Sequence, residues 1–339
     1  MGESQSAVSF DVLNPGGRDA EQTFPNGAGT PEDAGHPPVN FHAYAACMSG
    51  GFFRDVRSLQ GRKGTVLVLL RKSNLRRALE VLRVLQEEGT TVFVSCKESG
   101  AHQIADLLGD VTRLELFREL CAAADGAIST TTGLVSLYRA CGSPAVHFVP
   151  TPYPVECEAW NFGIPFAKRR GIFVGTREFG VPSRNHLAAV VLADEISREF
   201  DCPLAVMNSE GRRGGMILKS LKKKNPLLFI LEGPLEYAAY LRLISLHRIV
   251  WQLDSSHVPG QVAGDALLCR MPCVGGNGEI DRIAFGGSDA TADATIRRAR
   301  ALLRDDREWQ IAVDESQARA REFLSFSVGA RRLSGLTAA

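Results

Sequence analysis

From residue 64 onward, short apolar runs bounded by polar turns alternate with segments whose apolar positions recur every three or four residues. The run 65–70 predicts a buried strand. Segment 74–88 predicts a helix with Leu75, Ala78, Leu79, Leu82 and Leu85 on one stripe and Ser73 as its N-cap. Strand 91–96, helices 101–108 and 114–124, strand 127–130, helix 133–141 and strand 145–149 continue the series. Such alternation predicts βαβ units, and hence a parallel sheet covered on both faces. Segment 150–170 interrupts it with Pro150, Pro152, Pro154 and Pro165 and reads as an inter-domain connection. Strands 172–175, 204–207, 227–231, 249–253 and 273–274 then alternate with helices 184–200, 215–223, 235–246 and 262–269. Helical segments 293–303, 309–324 and 328–333 end the chain.

The first sixty residues follow this pattern least. A strand over 8–13 leads into Asn14-Pro15-Gly16-Gly17 and a loop rich in Gly, Pro and Asp. Phe41, His42, Tyr44, Phe52 and Phe53 then predict an ordered, packed segment. The fold class expected is α/β, with two facing Rossmann-like, doubly wound parallel-sheet domains. Residues 1–168 form the first (1–60 loop-rich) and 169–320 the second, while 321–339 form a terminal helix returning to the first.

Composition narrows the function classes. With 45% hydrophobic and 23% charged residues, the 339-residue chain reads as folded, and its length favours two cores over one. Lys and Arg total 39 against 38 Asp and Glu, so net charge supplies no reason to bind nucleic acid. No run of about 18 apolar residues predicts a transmembrane segment, and the polar start lacks signal-peptide features. Eight scattered cysteines without a CxxC pair read as reduced thiols of a cytoplasmic protein with no metal site.

Candidate chemistry concentrates in strand-end loops of the second half. Between strand 172–175 and the next helix lie Arg177 and Arg184, with Ser183 as the expected cap, an arrangement suited to an anion. The loop Gly211-Arg212-Arg213-Gly214-Gly215 is glycine-rich and basic but lacks the GKS or GKT of a P-loop. No GxGxxG follows a strand, which removes the main support for a nicotinamide dehydrogenase. In the third loop, His257 precedes Gly260, which allows close backbone approach, and Asp265, which can accept from sugar hydroxyls.

These residues carry a resemblance. His257-x7-Asp265, followed by Ala-Leu-Leu-Cys-Arg-Met-Pro272-Cys-Val, resembles the E-x7-E motif of the large bacterial group 1, family 4-like GT-B glycosyltransferases. Phe173-Val-Gly175, Gly233-Pro234-Leu235-Glu236-Tyr237 and the ending from Ala318 are similar to other segments of that family. The resemblance implies that Asp265 binds the nucleotide ribose, that His257 replaces the Glu near the donor sugar, and that Gly233 starts the segment facing the base. Arg177, Arg184, Gly211, Arg212 and Gly260 then surround a nucleoside diphosphate such as UDP. Gly16 and Gly17 resemble the loop that approaches the donor phosphate or sugar, and His42 is the acceptor-side acid/base. The implied activity is metal-independent transfer of a sugar from a nucleotide sugar to an unspecified small-molecule, glycan or protein acceptor, with no cofactor beyond the donor itself. Two alternatives stay open: a non-catalytic nucleotide-sugar-binding scaffold, and a nucleotide-sugar epimerase.

Overall fold

The computed structural model describes residues 9–33, 35–62, 64–287 and 291–337. They group into two compact units: one runs up to Pro154 and resumes at Leu324, and the other spans Val155–Phe323.

The first unit opens with β1 (Ser9–Leu13), the expected strand 8–13, of which Val8 lies outside the described residues. Next come β2 (Gln22–Thr23), α1 (Phe41–Cys47) and β3 (Gly51–Phe53), three elements in the stretch expected to be loop-rich. They were illegible because two- and three-residue strands carry no period; pairing makes them strands, with Val12 opposite Phe52 and Leu13 opposite Phe53. The regular series follows: β4 (Gly64–Leu70), α2 (Leu75–Glu87), β5 (Thr91–Cys96), α3 (Ala101–Leu107), α4 (Val111–Ala123), β6 (Gly126–Ser129), α5 (Val135–Ala140) and β7 (Val146–Phe148). Their order is β2-β3-β1-β4-β5-β6-β7, parallel except for β2 against β3. Strand β4 shows why its sequence is continuously apolar. Val66, Val68 and Leu70 face the core under α2 and α4, while Leu67 and Leu69 face the core with Phe41 and Tyr44 of α1.

The second unit contains β8 (Ile172–Val174), α6 (His186–Glu199), β9 (Leu204–Asn208), α7 (Gly211–Lys222), β10 (Leu228–Glu232), α8 (Tyr237–Ser245), β11 (Ile249–Trp251), α9 (Gln261–Leu268), β12 (Cys273–Val274), α10 (Glu279–Phe285), α11 (Ala292–Arg304) and α12 (Asp306–Phe323). All strands are parallel, in the order β10-β9-β8-β11-β12. The connection after Val155 is held within this unit. Fully buried Arg169 donates to the carbonyls of Ile164 (3.1 Å), Ser245 (2.8 Å) and Cys269 (2.8 Å), and Phe162 N–H reaches Leu268 O at 2.9 Å. The unit boundary therefore falls at Pro154, earlier than the expected 168. The chain returns to the first unit at α13 (Phe326–Thr337), which packs on α1, and Tyr153 N–H meets Leu324 O at 2.7 Å.

In each sheet the strand order reverses once, between β1 and β4 and between β8 and β11. Connections on either side of such a switch point leave in opposite directions and open a crevice beyond the strand carboxyl ends, where ligands of doubly wound folds bind.

Candidate functional site

At the second unit's switch point, the loops after β8 and β11 are tied together. Ser255 N–H and Oγ donate to Ser183 O at 2.8 and 3.0 Å, and Asn185 Nδ2 donates to Leu253 O at 3.0 Å. The expected cap Ser183 instead receives the Ser256 hydroxyl at 2.9 Å, and the left-handed Asn185 occupies the N-cap position of α6. The reason is that α6 starts two residues later than its pattern suggests, at His186. Arg184 is ion-paired with the buried carboxylate of Asp254, while Glu178 stands 3.4 Å from its Nε. Its charge is thus largely balanced within the protein.

Beside this loop pair, Arg177 and Arg212 are exposed. The Arg177 carbonyl accepts from Ser209 Oγ at 2.7 Å, and Gly180 N–H donates to Glu210 Oε1 at 2.8 Å, so the loops after β8 and β9 are also joined. Gly211 starts α7 at φ +56°, four residues before the helix expected from 215; Asn208 Nδ2 holds its carbonyl at 2.9 Å. Gly233 leaves β10 at φ +80° with open space where a side chain would point.

Asp265 lies on α9, almost fully buried, and accepts from Tyr237 Oη at 2.5 Å. Burial pushes its carboxyl up to about 7, against the opposing pull of the Tyr237 hydroxyl, the Arg177 guanidinium and the Tyr240 hydroxyl. The fold thus brings together Asp265, Tyr237, Tyr240 and Arg177 from three separate segments. His257 stands apart, exposed at φ +53°, where its ring meets Arg282 Nη2 (2.9 Å at Nδ1) and Asn277 Nδ2 (3.2 Å at Nε2). Arg282 can only donate, so Nδ1 is the accepting nitrogen. Gly260 is required by its backbone, at φ +97°, with Ile280 N and Asp281 Oδ2 each 3.2 Å from a hypothetical Cβ.

Sequence reasoning passed over His186. Its Nδ1 lies 3.0 Å from Thr176 Oγ1, its Nε2 is buried without a partner, and burial pushes its pKa down to about 4. The expected histidine of the first unit, His42, is buried on α1 with its ring between those of His36 (3.7 Å) and Phe52 (3.8 Å). Its Nε2 contacts Ala20 O at 2.8 Å, and burial, with His36 adding to it, pushes its pKa down to about 3. Such an imidazole is neutral and committed to packing, a poor proton shuttle for a ligand.

The first unit's switch point is organised around Gly16 (φ +66°) and Gly17. Arg71 Nη2 and Asn74 Nδ2 clamp the preceding Pro15 carbonyl at 3.1 and 3.2 Å. A Cβ on Gly17 would lie 2.2 Å from Asn14 Nδ2, so this loop lies directly on the Asn14 amide. That amide donates to Asp19 Oδ2 at 2.6 Å, and Lys97 pairs with the same oxygen. Among the described residues, no three His, Cys, Asp or Glu side chains gather as metal ligands would, and no helix is long and apolar enough to cross a membrane.

Comparison with solved structures gives the fold its class. TarM of S. aureus, in a complex that includes UDP, superposes with a TM-score of 0.62 at 9% identity, over 87% of this chain and 59% of TarM. This chain therefore spans about three fifths of that protein's length. A glycosyltransferase from Rickettsia africae matches at TM-score 0.58 and 9% identity, over 97% of this chain and 98% of that one. The α,α-trehalose 6-phosphate synthase of Burkholderia multivorans matches at 0.56 and 13%, over 88% and 76%. The fold is GT-B. No family model and no curated sequence matches the chain significantly.

Proposed function

We propose that the protein is a GT-B glycosyltransferase that moves a sugar from a nucleoside diphosphate sugar to an acceptor hydroxyl. One observation carries the reading: in a GT-B fold, exposed Arg177 and Arg212, the N-terminus of α7 and buried Asp265 with half-buried Tyr237 gather beyond the strand ends of the second unit. UDP, the nucleotide in the TarM complex, fits that chemistry. Departure of a sugar leaves negative charge on the diphosphate. Free N–H groups at the start of α7, around Gly211, and the guanidinium groups of Arg177 and Arg212 stabilise that charge without a metal. Arg184 acts mainly by holding the loops after β8 and β11 in place through Asp254. Asp265, with Tyr237, serves the ribose hydroxyls; Gly233 admits the base close to backbone, and Gly260 gives the loop before α9 its left-handed turn. His257 faces the sugar, and Gly16 and Gly17 offer the first unit's own close-approach loop.

A non-catalytic nucleotide-sugar binder is the second reading, favoured by the enclosure of Asp265 under Tyr237 and by the pairing of Arg184 with Asp254. Titration with UDP followed by a hydrolysis and transfer assay over a panel of UDP-, GDP- and ADP-sugars separates the two. Turnover that falls at least tenfold in Arg177→Ala supports transfer. Binding without turnover supports the second reading, and failure to bind any of these nucleotides sinks both.

A further inference from the structure

We infer that the first unit holds a binding site for the hydroxyl groups of an uncharged sugar or polyol, built from His36, Asn14 and Asp19, in which His36 Nε2 accepts from the ligand. Its position is the carboxyl end of the sheet, where Asn14 follows β1 and Lys97 follows β5.

The tautomer of His36 follows from its neighbour. Nδ1 lies 2.7 Å from the Pro37 carbonyl oxygen, which can only accept, so Nδ1 carries the ring hydrogen and Nε2 the lone pair. The ring is held flat on His42 at 3.7 Å and 12°, and His42 in turn lies on Phe52. In this stack His42 is the buried inner ring and His36 the half-buried outer one, which leaves His36 the ring nearer solvent. Burial lowers the His36 pKa; the Pro37 hydrogen bond and Asp19 oppose this, and Lys97 adds to it, leaving a neutral acceptor at pH 7.

Asn14 adds an independent sign. It has no exposure, and its Nδ2 donates to Asp19 Oδ2. Burial raises the Asp19 pKa, but the hydrogen bonds and charge of Lys97 and the Asn14 amide outweigh it, so the pKa is lowered and the carboxylate only accepts. That settles the orientation of the Asn14 amide and leaves its Oδ1 buried with no donor. A carboxylate, a lone-pair imidazole nitrogen and an orphan amide oxygen, with the Lys97 ammonium already paired, form an acceptor-rich group. An anion is repelled there; hydroxyl groups, which donate, are its complement.

Calling the ligand the acceptor substrate rests on the glycosyl-transfer reading; the binding itself does not. The test uses the full chain with isotope-labelled histidine, titrated with methyl glucoside, methyl galactoside, methyl mannoside and glycerol, and in parallel with UDP. The expected result is a saturable shift of the His36 resonances by at least one of the four. His36→Phe, which keeps the stacked ring without a lone pair, should weaken that binding about tenfold, and His36→Gln should restore part of it. UDP binding should be unchanged in both variants, which also shows that they fold. If no probe moves His36, or if His36→Phe binds as well as the parent, the inference is overturned even where UDP binds. If UDP fails to bind and a glycoside still does, the transferase reading falls and this site stands.

Discussion

Asp19 and Asp265 occupy similar places, each in the loop-and-helix layer beyond the ends of a parallel sheet, yet their carboxyls are driven in opposite directions. Burial is the largest influence on both and raises both. Asp19 has an ammonium on one oxygen and an amide beside it, and these reverse the effect of burial. Asp265 has two tyrosine hydroxyls and only the more distant field of Arg177, so burial wins and the group titrates near 7. At half-buried Asp19 an ammonium in contact outweighs desolvation, whereas at fully buried Asp265 the tyrosine hydroxyls do not. The first unit thus holds a permanent anion at its switch point, and the second holds a carboxyl whose charge depends on pH.

Four substitutions can break or sharpen that contrast. The largest effect is expected for Arg184→Ala, which strands the Asp254 carboxylate, 4% exposed, without its cation. Loss of about 3 kcal/mol in urea unfolding is expected, and most of it should return when Asp254→Asn is added. A cost no greater than that of removing Lys97 would mean that Asp254 is better solvated than its surroundings imply.

Gly17→Ala comes next. Its Cβ must displace the Asn14 amide, 2.2 Å away, and with it the bond to Asp19. A loss of about 2 kcal/mol is expected, with the Asp19 carboxyl moving upward in a carbonyl-labelled NMR titration. An unmoved Asp19 would show that Lys97 alone holds its charge.

Asp265→Asn tests the other half. A carboxyl raised from 3.8 to about 7 in the folded state keeps its proton longer there than in the unfolded chain. Its stabilising effect is full below about pH 4 and is lost as pH rises through 7. Wild type should therefore lose stability relative to Asp265→Asn over that interval. Parallel curves would contradict the raised carboxyl. Over the same interval UDP affinity of the wild type should rise if the ionised carboxylate is what receives the ribose hydroxyls.

The smallest effect is expected for Lys97→Met, about 0.5–1 kcal/mol, because the Lys97–Asp19 pair is partly exposed and water compensates for much of its loss. Its clearer readout is a rise in the Asp19 pKa. A loss as large as that of Arg184→Ala would erase the distinction between the two switch points.

How much of this was legible depended on chain length per element. The alternation 65–70, 74–88 and 91–96 maps onto β4, α2 and β5 within a residue or so, because buried strands and one-sided helices impose periods that a sequence displays. β3 and α1 escaped because three strand residues and a seven-residue helix buried nearly all round carry no period. Within the site, the glycines and arginines were visible by type and by their place after strands. Tyr237 and Tyr240 beside Asp265, and Asp254 beside Arg184, were not, since the partners are 28, 25 and 70 positions apart in the chain. His42 illustrates the same limit: aromatic neighbours in sequence marked it for chemistry, while the fold stacks it beneath His36 and leaves His36 the ring nearer solvent.

The sequence by itself therefore determined the two α/β halves, a proline-rich break between 150 and 170 and the loops in which polar groups gather, because periodicity and turn chemistry are local. The tertiary structure decided which of those groups are charged, paired or open. Protonation, tautomer and partner choice depend on the distance between side chains far apart in the chain and on how completely packing removes water from them.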